Sequence, residues 1–232
     1  MTTHDVHAEP NRTASRRAPW SLVGSAVGFL LLYLSTDFVA VKLASSPLPL
    51  PNAPAEEAKA WFAGNQLAAV VMGLSQLLSV MCLAAFVVGL RRSAVAVSQV
   101  RAARRAAPWG LLSVTLMAAA TVLSWWSAAV APTASVDTVS VLRTANFVAG
   151  GTAHVLLLGI FVLLASRIPG FGTAVRVFGI VAAVPAVASI VSLVWFQGAA
   201  LILLGRLLCM AWTISAAVSV TRRLARGVWA AR

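Results

Sequence analysis

Residues 177–221 read VFGIVAAVPAVASIVSLVWFQGAALILLGRLLCMAWTISAAVSVT and contain a single charged side chain, Arg206. A membrane crossing needs about 18–20 apolar residues, so the stretch holds either one span or two. Split at the polar turn Gln197–Gly198, it gives helices over Val177–Phe196 and Ala199–Thr221, and the chain has six spans. If Arg206 acts as a break, only Leu207–Thr221 stays charge-free and five spans remain. Arginine placement decides for six. With a cytoplasmic N-terminus, six spans put Arg12, Arg16, Arg17, Arg91, Arg92, Arg101, Arg104, Arg105, Arg167, Arg176, Arg222, Arg223, Arg226 and Arg232 inside, out of 18 basic residues. Only Lys42, Lys59, Arg143 and Arg206 fall in or near the outer half. That asymmetry follows the positive-inside rule, and a five-span chain would expel its arginine-rich tail.

Outward from this stretch the pattern repeats. Ala18–Thr36, Ala60–Leu90, Ala106–Val136 and Thr144–Ser166 are also free of charge, giving spans over Trp20–Leu43, Trp61–Leu90, Pro108–Val130 and Thr144–Ser166. The chain of 232 residues is 60% hydrophobic and 10% charged, with a mean hydropathy of +0.89. Globular domains carry about 25% charged residues. The fold class expected is an all-α polytopic membrane bundle of six helices with both termini cytoplasmic, in the cell membrane. A soluble enzyme, a disulfide scaffold and an outer-membrane barrel of alternating strands are excluded. The net charge of +12 sits in loops between spans, so it speaks for membrane lipids and against nucleic acid as a partner.

Residues 1–18 read as a basic arm beside anionic headgroups, 19–221 as the transmembrane domain, and 222–232 as a basic tail. Residues 45–60 hold Pro47, Pro49, Pro51 and Pro54 and predict a stiff outer loop that turns helical near Glu56. The inner loop Arg91–Ala107 reads as a cationic anchor or a short surface helix. Cys82 and Cys209 lie within apolar helices, outside any metal or redox motif, and His4, His7 and His154 cannot build a metal site unaided, so no cofactor is expected.

Ionisable residues inside spans are costly and point to function. Asp37 lies ~9–12 Å and Arg206 ~12 Å below the outer surface at 1.5 Å per residue. Equal depth predicts that they pair. Polar stripes gather in the same half. Arg143, Asn146, Gly150 and His154 follow one face of the fourth span. Glu57, Trp61, Asn65, Met72 and Gln76 follow another on the second, and Phe29, Tyr33 and Asp37 are spaced by four on the first. The fifth span adds Ser189, Ser192 and Trp195. Together they predict a cavity open outward. Trp20, Trp109, Trp229, Trp61 and Trp195 fit interfacial belts, while Trp125, Trp126 and Trp212 are either core or an aromatic cavity wall. Gly24 and Gly28 are spaced for close helix approach, and Pro185 predicts a kink in the fifth span.

A carboxyl out of water favours its neutral form, so Asp37 could donate a proton to a membrane-dissolved substrate, with His154 taking that role if Arg206 holds Asp37 ionised. Indole faces would stabilise the positive charge that then migrates. In size, helix-dense plan, the early-helix acid Asp37 and its tryptophan-rich spans, the chain resembles the small bacterial membrane-bound terpene cyclases of meroterpenoid and indole-sesquiterpenoid pathways. Its Ala- and Arg-rich, Lys-poor composition is similar to that of high-GC bacteria. The resemblance implies acid-initiated cyclisation of a linear isoprenoid, with Asp37, His154 and Tyr33 catalytic. Those families use two acids, for which Glu57 is the nearest second candidate. Arg206, Arg143, Asn65, Asn146, Gln76, Trp125, Trp126, Trp195, Trp212 and Glu57 would then surround a lipophilic small-molecule substrate. Two other classes fit the same residues. One is a proton-coupled carrier or binding protein for a small anion or lipid headgroup, clamped by Arg143 and Arg206. The other is a non-catalytic accessory subunit.

Overall fold

The computed structural model describes residues 18–96 and 100–226. The readings made for the N-terminal arm, His4, His7, Trp229 and Arg232 lie outside them. Among the described residues the chain is all-helical: α1 (Ala18–Leu43), α2 (Ala55–Gly64), α3 (Gln66–Ala96), α4 (Val100–Val130), α5 (Val136–Asn146), α6 (His154–Ala165), α7 (Thr173–Ala188) and α8 (Ala199–Ala225). A π-helical segment, Phe147–Ala153, joins α5 to α6, and 3-10 turns at Ser189–Leu193 and Phe196–Gly198 join α7 to α8. Six helical stretches are long and apolar enough to cross a membrane, including Phe196–Ala225, which carries Arg206 inside it.

Successive spans pack side by side, α1 on α3, α3 on α4, α4 on α6, α6 on α7 and α7 on α8, and α8 closes the bundle against α1. The core is aromatic and aliphatic at its centre, with Phe29, Phe86, Leu158, Phe161 and Trp212 fully buried. Large apolar side chains also cover the outside, among them Leu31, Leu74, Met81, Val122 and Val184. A helix apolar on all sides suits a hydrocarbon surround, where outward leucine and valine cost nothing.

Local chemistry moves several boundaries. The second span starts at Gln66 rather than Trp61, because Asn65 ends α2, its side chain donating to the Trp61 carbonyl and accepting from the Ser45 amide. The fourth starts at Val136, capped by Ser135, whose Oγ accepts from the Thr138 amide at 3.2 Å. The inner connection expected over Arg91–Ala107 is helical up to Ala96 and again from Val100. Pro185 sits inside α7, and four residues later the α-helix gives way to the 3-10 turn at Ser189. The last helix runs on through Arg222 and Arg223, whose charges suit a helix C-terminus.

Candidate functional site

The end of the bundle that carries residues 44–54 holds a cavity of about 160 Å³ between α2, α3, α4 and α5. Trp61, Phe62, Met72, Phe147 and Leu48 form its apolar walls, and Gln76, Ser124, Arg143 and Asn146 supply the polar side chains. The proline-rich segment roofs it and is fastened at three points. The Ser45 amide and hydroxyl both donate to Asn65 Oδ1, at 2.7 and 3.0 Å. Trp61 Nε1 donates to the Ser46 carbonyl at 2.9 Å. Arg143 Nη2 donates to the carbonyls of Pro51 and Ala53, each at 2.8 Å.

Arg143 has more donors than the roof uses. Its Nη1 is buried with no hydrogen-bond partner, and among the described residues no carboxylate lies within ion-pair distance of it. Gln76 likewise reaches the cavity wall without a hydrogen bond among the described residues. Asn146 spends its amide nitrogen on the Ala120 carbonyl of α4 at 2.7 Å. A guanidinium half out of water thus keeps hydrogen-bonding capacity that this protein's own groups leave unspent.

Beside this cavity a wider groove of about 550 Å³ runs along the end of α1. Asp37, Ala40, Val41 and Ala44 line one side of it, and Leu48 and Met72 belong to both hollows. Asp37 is exposed on this groove and forms no ion pair among the described residues.

The expected Asp37–Arg206 pair is therefore absent. Arg206 is 7% exposed and binds neutral partners instead: Nη1 donates to Tyr33 Oη at 3.0 Å, and Nη2 donates to the Gly150 carbonyl. Its Cζ stands 4.9 Å from the Tyr33 ring centroid, a cation–π contact, and its Nε has no partner. The accepting carbonyl belongs to the π-helical segment, where altered helix pitch disturbs the ordinary ladder. Arg206 thus joins α8 to α1 and to the α5–α6 junction, away from the cavity. Asp37 misses it because each four-residue step on a helix advances about 40°, so Phe29, Tyr33 and Asp37 drift by about 80°. Phe29 is buried, Tyr33 half-buried and Asp37 exposed.

The Asn146–Gly150–His154 stripe exists but faces α4 along most of its length. A Cβ at Gly150 would meet Ala120 Cβ at 2.6 Å, and His154 is sealed against Ser113. His154 Nδ1 lies 2.8 Å from Ser113 Oγ and 2.9 Å from the Ser113 carbonyl, while Ser113 Oγ also donates to the His154 carbonyl at 2.9 Å. Buried at 1% exposure and bonded through Nδ1 to Ser113, His154 lines neither hollow.

The remaining candidates scatter. Glu57 is exposed on α2 and lines neither hollow. Asn65 holds the roof instead of a ligand. Trp126 and Trp195 point outward, 55% and 58% exposed. Trp125 packs on Gly73 and donates to the Val70 carbonyl at 3.1 Å. Trp212 is fully buried between Phe161 and Phe171, with Nε1 on the Val175 carbonyl. Only Gln76, Arg143 and Asn146 of the expected set meet in the cavity. Trp61, assigned from sequence to an interfacial belt, is its buried wall at 4% exposure, stacked edge-on to Phe62 at 5.2 Å. Its spacing to Asn65 and Gln76 was the available signal. Ser113, the partner of His154, had none.

Set beside known protein families, curated proteins and solved structures, the chain matches no family model, no curated protein and no solved structure.

Proposed function

We propose that this protein is a multi-pass protein of the cell membrane, with both termini cytoplasmic, that binds a membrane-dissolved amphiphile through an anionic headgroup. The orientation rests on the arginine distribution, which puts the cavity in the outer half. The observation that carries the binding reading is Arg143: a cation in an apolar cavity, with one nitrogen buried and unpartnered. Such a group is costly unless an anion completes its hydrogen bonds, and the charge-assisted bonds formed then are the strong ones. Gln76 supplies a second free polar group on the same wall.

Binding of oleoyl lysophosphatidic acid to the purified protein in nanodiscs, followed by tryptophan fluorescence, tests this. Arg143→Gln should weaken it by about tenfold or more, since a hydrogen bond to a charged group contributes about 1.5–3 kcal/mol. Equal affinity of wild type and Arg143→Gln rejects the reading.

Acid-initiated isoprenoid cyclisation is the second reading. It is favoured by Asp37, whose groove shares Leu48 and Met72 with the cavity. It ranks second because no carboxylate lines the cavity itself. Membranes carrying wild type or Asp37→Asn, incubated with a linear farnesylated aromatic epoxide, separate the two readings. Isomers formed only by wild type would put cyclisation first, and unchanged substrate in both would remove it.

A further inference from the structure

The bundle end with the roof carries two opposite charges that the protein leaves unmatched. Arg143 lines the cavity and keeps its Nη1 buried without a partner, and Asp37 lines the adjoining groove. Both belong to the roofed end, where the two hollows share Leu48 and Met72. Asp37 is six residues before the end of α1 and Arg143 seven after the start of α5, each about 10 Å along its own helix at 1.5 Å per residue. A carboxylate at that depth is costly in a lipid surround and is retained where it meets a cation. Lys42, the nearest cation in sequence, is turned to the Phe38 ring, 5.9 Å from its centroid.

From this juxtaposition we infer that the ligand is a zwitterionic single-chain amphiphile, whose anionic group binds Arg143 and whose ammonium binds Asp37. The inference rests on the anion-site reading above and adds the second charge and the chain. The cavity, at about 160 Å³, has room for a headgroup and not for a long chain. The groove of about 550 Å³ is lined by Ala40, Val41, Ala44 and Leu48, and Val41 on its side is 78% exposed. An acyl or prenyl chain would lie there and leave toward the bilayer. The same carboxylate repels a purely anionic headgroup, so Asp37 discriminates between headgroups by attraction and by repulsion together.

Oleoyl lysophosphatidylethanolamine and oleoyl lysophosphatidic acid share one chain and one phosphate and differ by the ammonium. Their affinities for nanodisc-embedded wild type, Asp37→Asn and Arg143→Gln form the test. Wild type should prefer the zwitterion. Asp37→Asn should weaken the zwitterion about tenfold while leaving the anion equal or tighter, and Arg143→Gln should weaken both. An unchanged preference in Asp37→Asn overturns the inference while the anion site stands. Unchanged binding of both lipids in Arg143→Gln rejects the anion site itself. Free phosphoethanolamine should bind at least about a hundredfold more weakly than the lysolipid. Equal binding would overturn the lipid and assign the site to a soluble zwitterion.

Discussion

At the scale of single residues, the two charges expected to neutralise each other belong to different structures. Arg206 is held by a hydroxyl, a ring face and a carbonyl, and Asp37 faces outward. The two should therefore be energetically independent. A double-mutant cycle of Asp37→Asn and Arg206→Gln on unfolding in detergent should give a coupling below about 0.5 kcal/mol, the scatter of additivity at unconnected sites. A coupling well above 1 kcal/mol would restore the ion pair. Asp37→Asn alone should leave the melting temperature in detergent unchanged, because the carboxylate is exposed there and loses no ion pair. The residues that matter were visible in the sequence, because polar groups inside apolar spans stand out. Their partners were not. Spacing puts Asn146, Gly150 and His154 on one face, but only packing reveals that this face meets α4.

At the scale of helices, the glycines divide by what they touch. A Cβ at Gly205 would lie 2.4 Å from Ala186 Cα and 2.5 Å from its nitrogen, so α8 rests directly on the α7 backbone. A Cβ at Gly24 would meet nothing within 4 Å, although its spacing to Gly28 suggests a close-packing pair; of the two only Gly28 is enclosed, where a Cβ would lie 2.9 Å from Cys82 Sγ. Gly205→Ala should force α7 and α8 apart and destabilise by about 1–3 kcal/mol or more. Gly24→Ala should be neutral or stabilising by up to about 1 kcal/mol through helix propensity. Melting temperatures in one detergent would decide, and equal shifts for the two variants would contradict the packing. Sequence gave each span its existence and left its ends open. A strong cap such as Ser135 and a break such as Asn65 depend on which neighbours accept or donate, and hydropathy does not register them. The π-helical segment has no pattern of its own. Arg206 takes one of the carbonyls it presents.

At the scale of the whole molecule, six spans were legible because hydrocarbon tolerates so few sequences: long apolar runs, with charges confined to connections. The proposed orientation rests on where the arginines of those connections fall. In a background with Cys82→Ala and Cys209→Ala, a membrane-impermeant maleimide should label Asn52→Cys on intact cells. Arg92→Cys should react only after permeabilisation, and the reverse pattern would invert the bundle. Composition could not reveal the roof, whose fastening at Asn65, Trp61 and Arg143 is a matter of tertiary contact.

The neutral surroundings of Arg206 have an electrical consequence. With no acid beside it, its full charge responds to the transmembrane voltage, which for a charge crossing the whole field is about 2.3 kcal/mol per 100 mV. In the proposed orientation it stands ~10 Å into a core of ~30 Å, about a third of that drop. An inside-negative potential therefore draws the guanidinium inward with about 0.8 kcal/mol per 100 mV. In that orientation the contacts of Arg206 with Tyr33 and Gly150 would carry this load for as long as the membrane is charged.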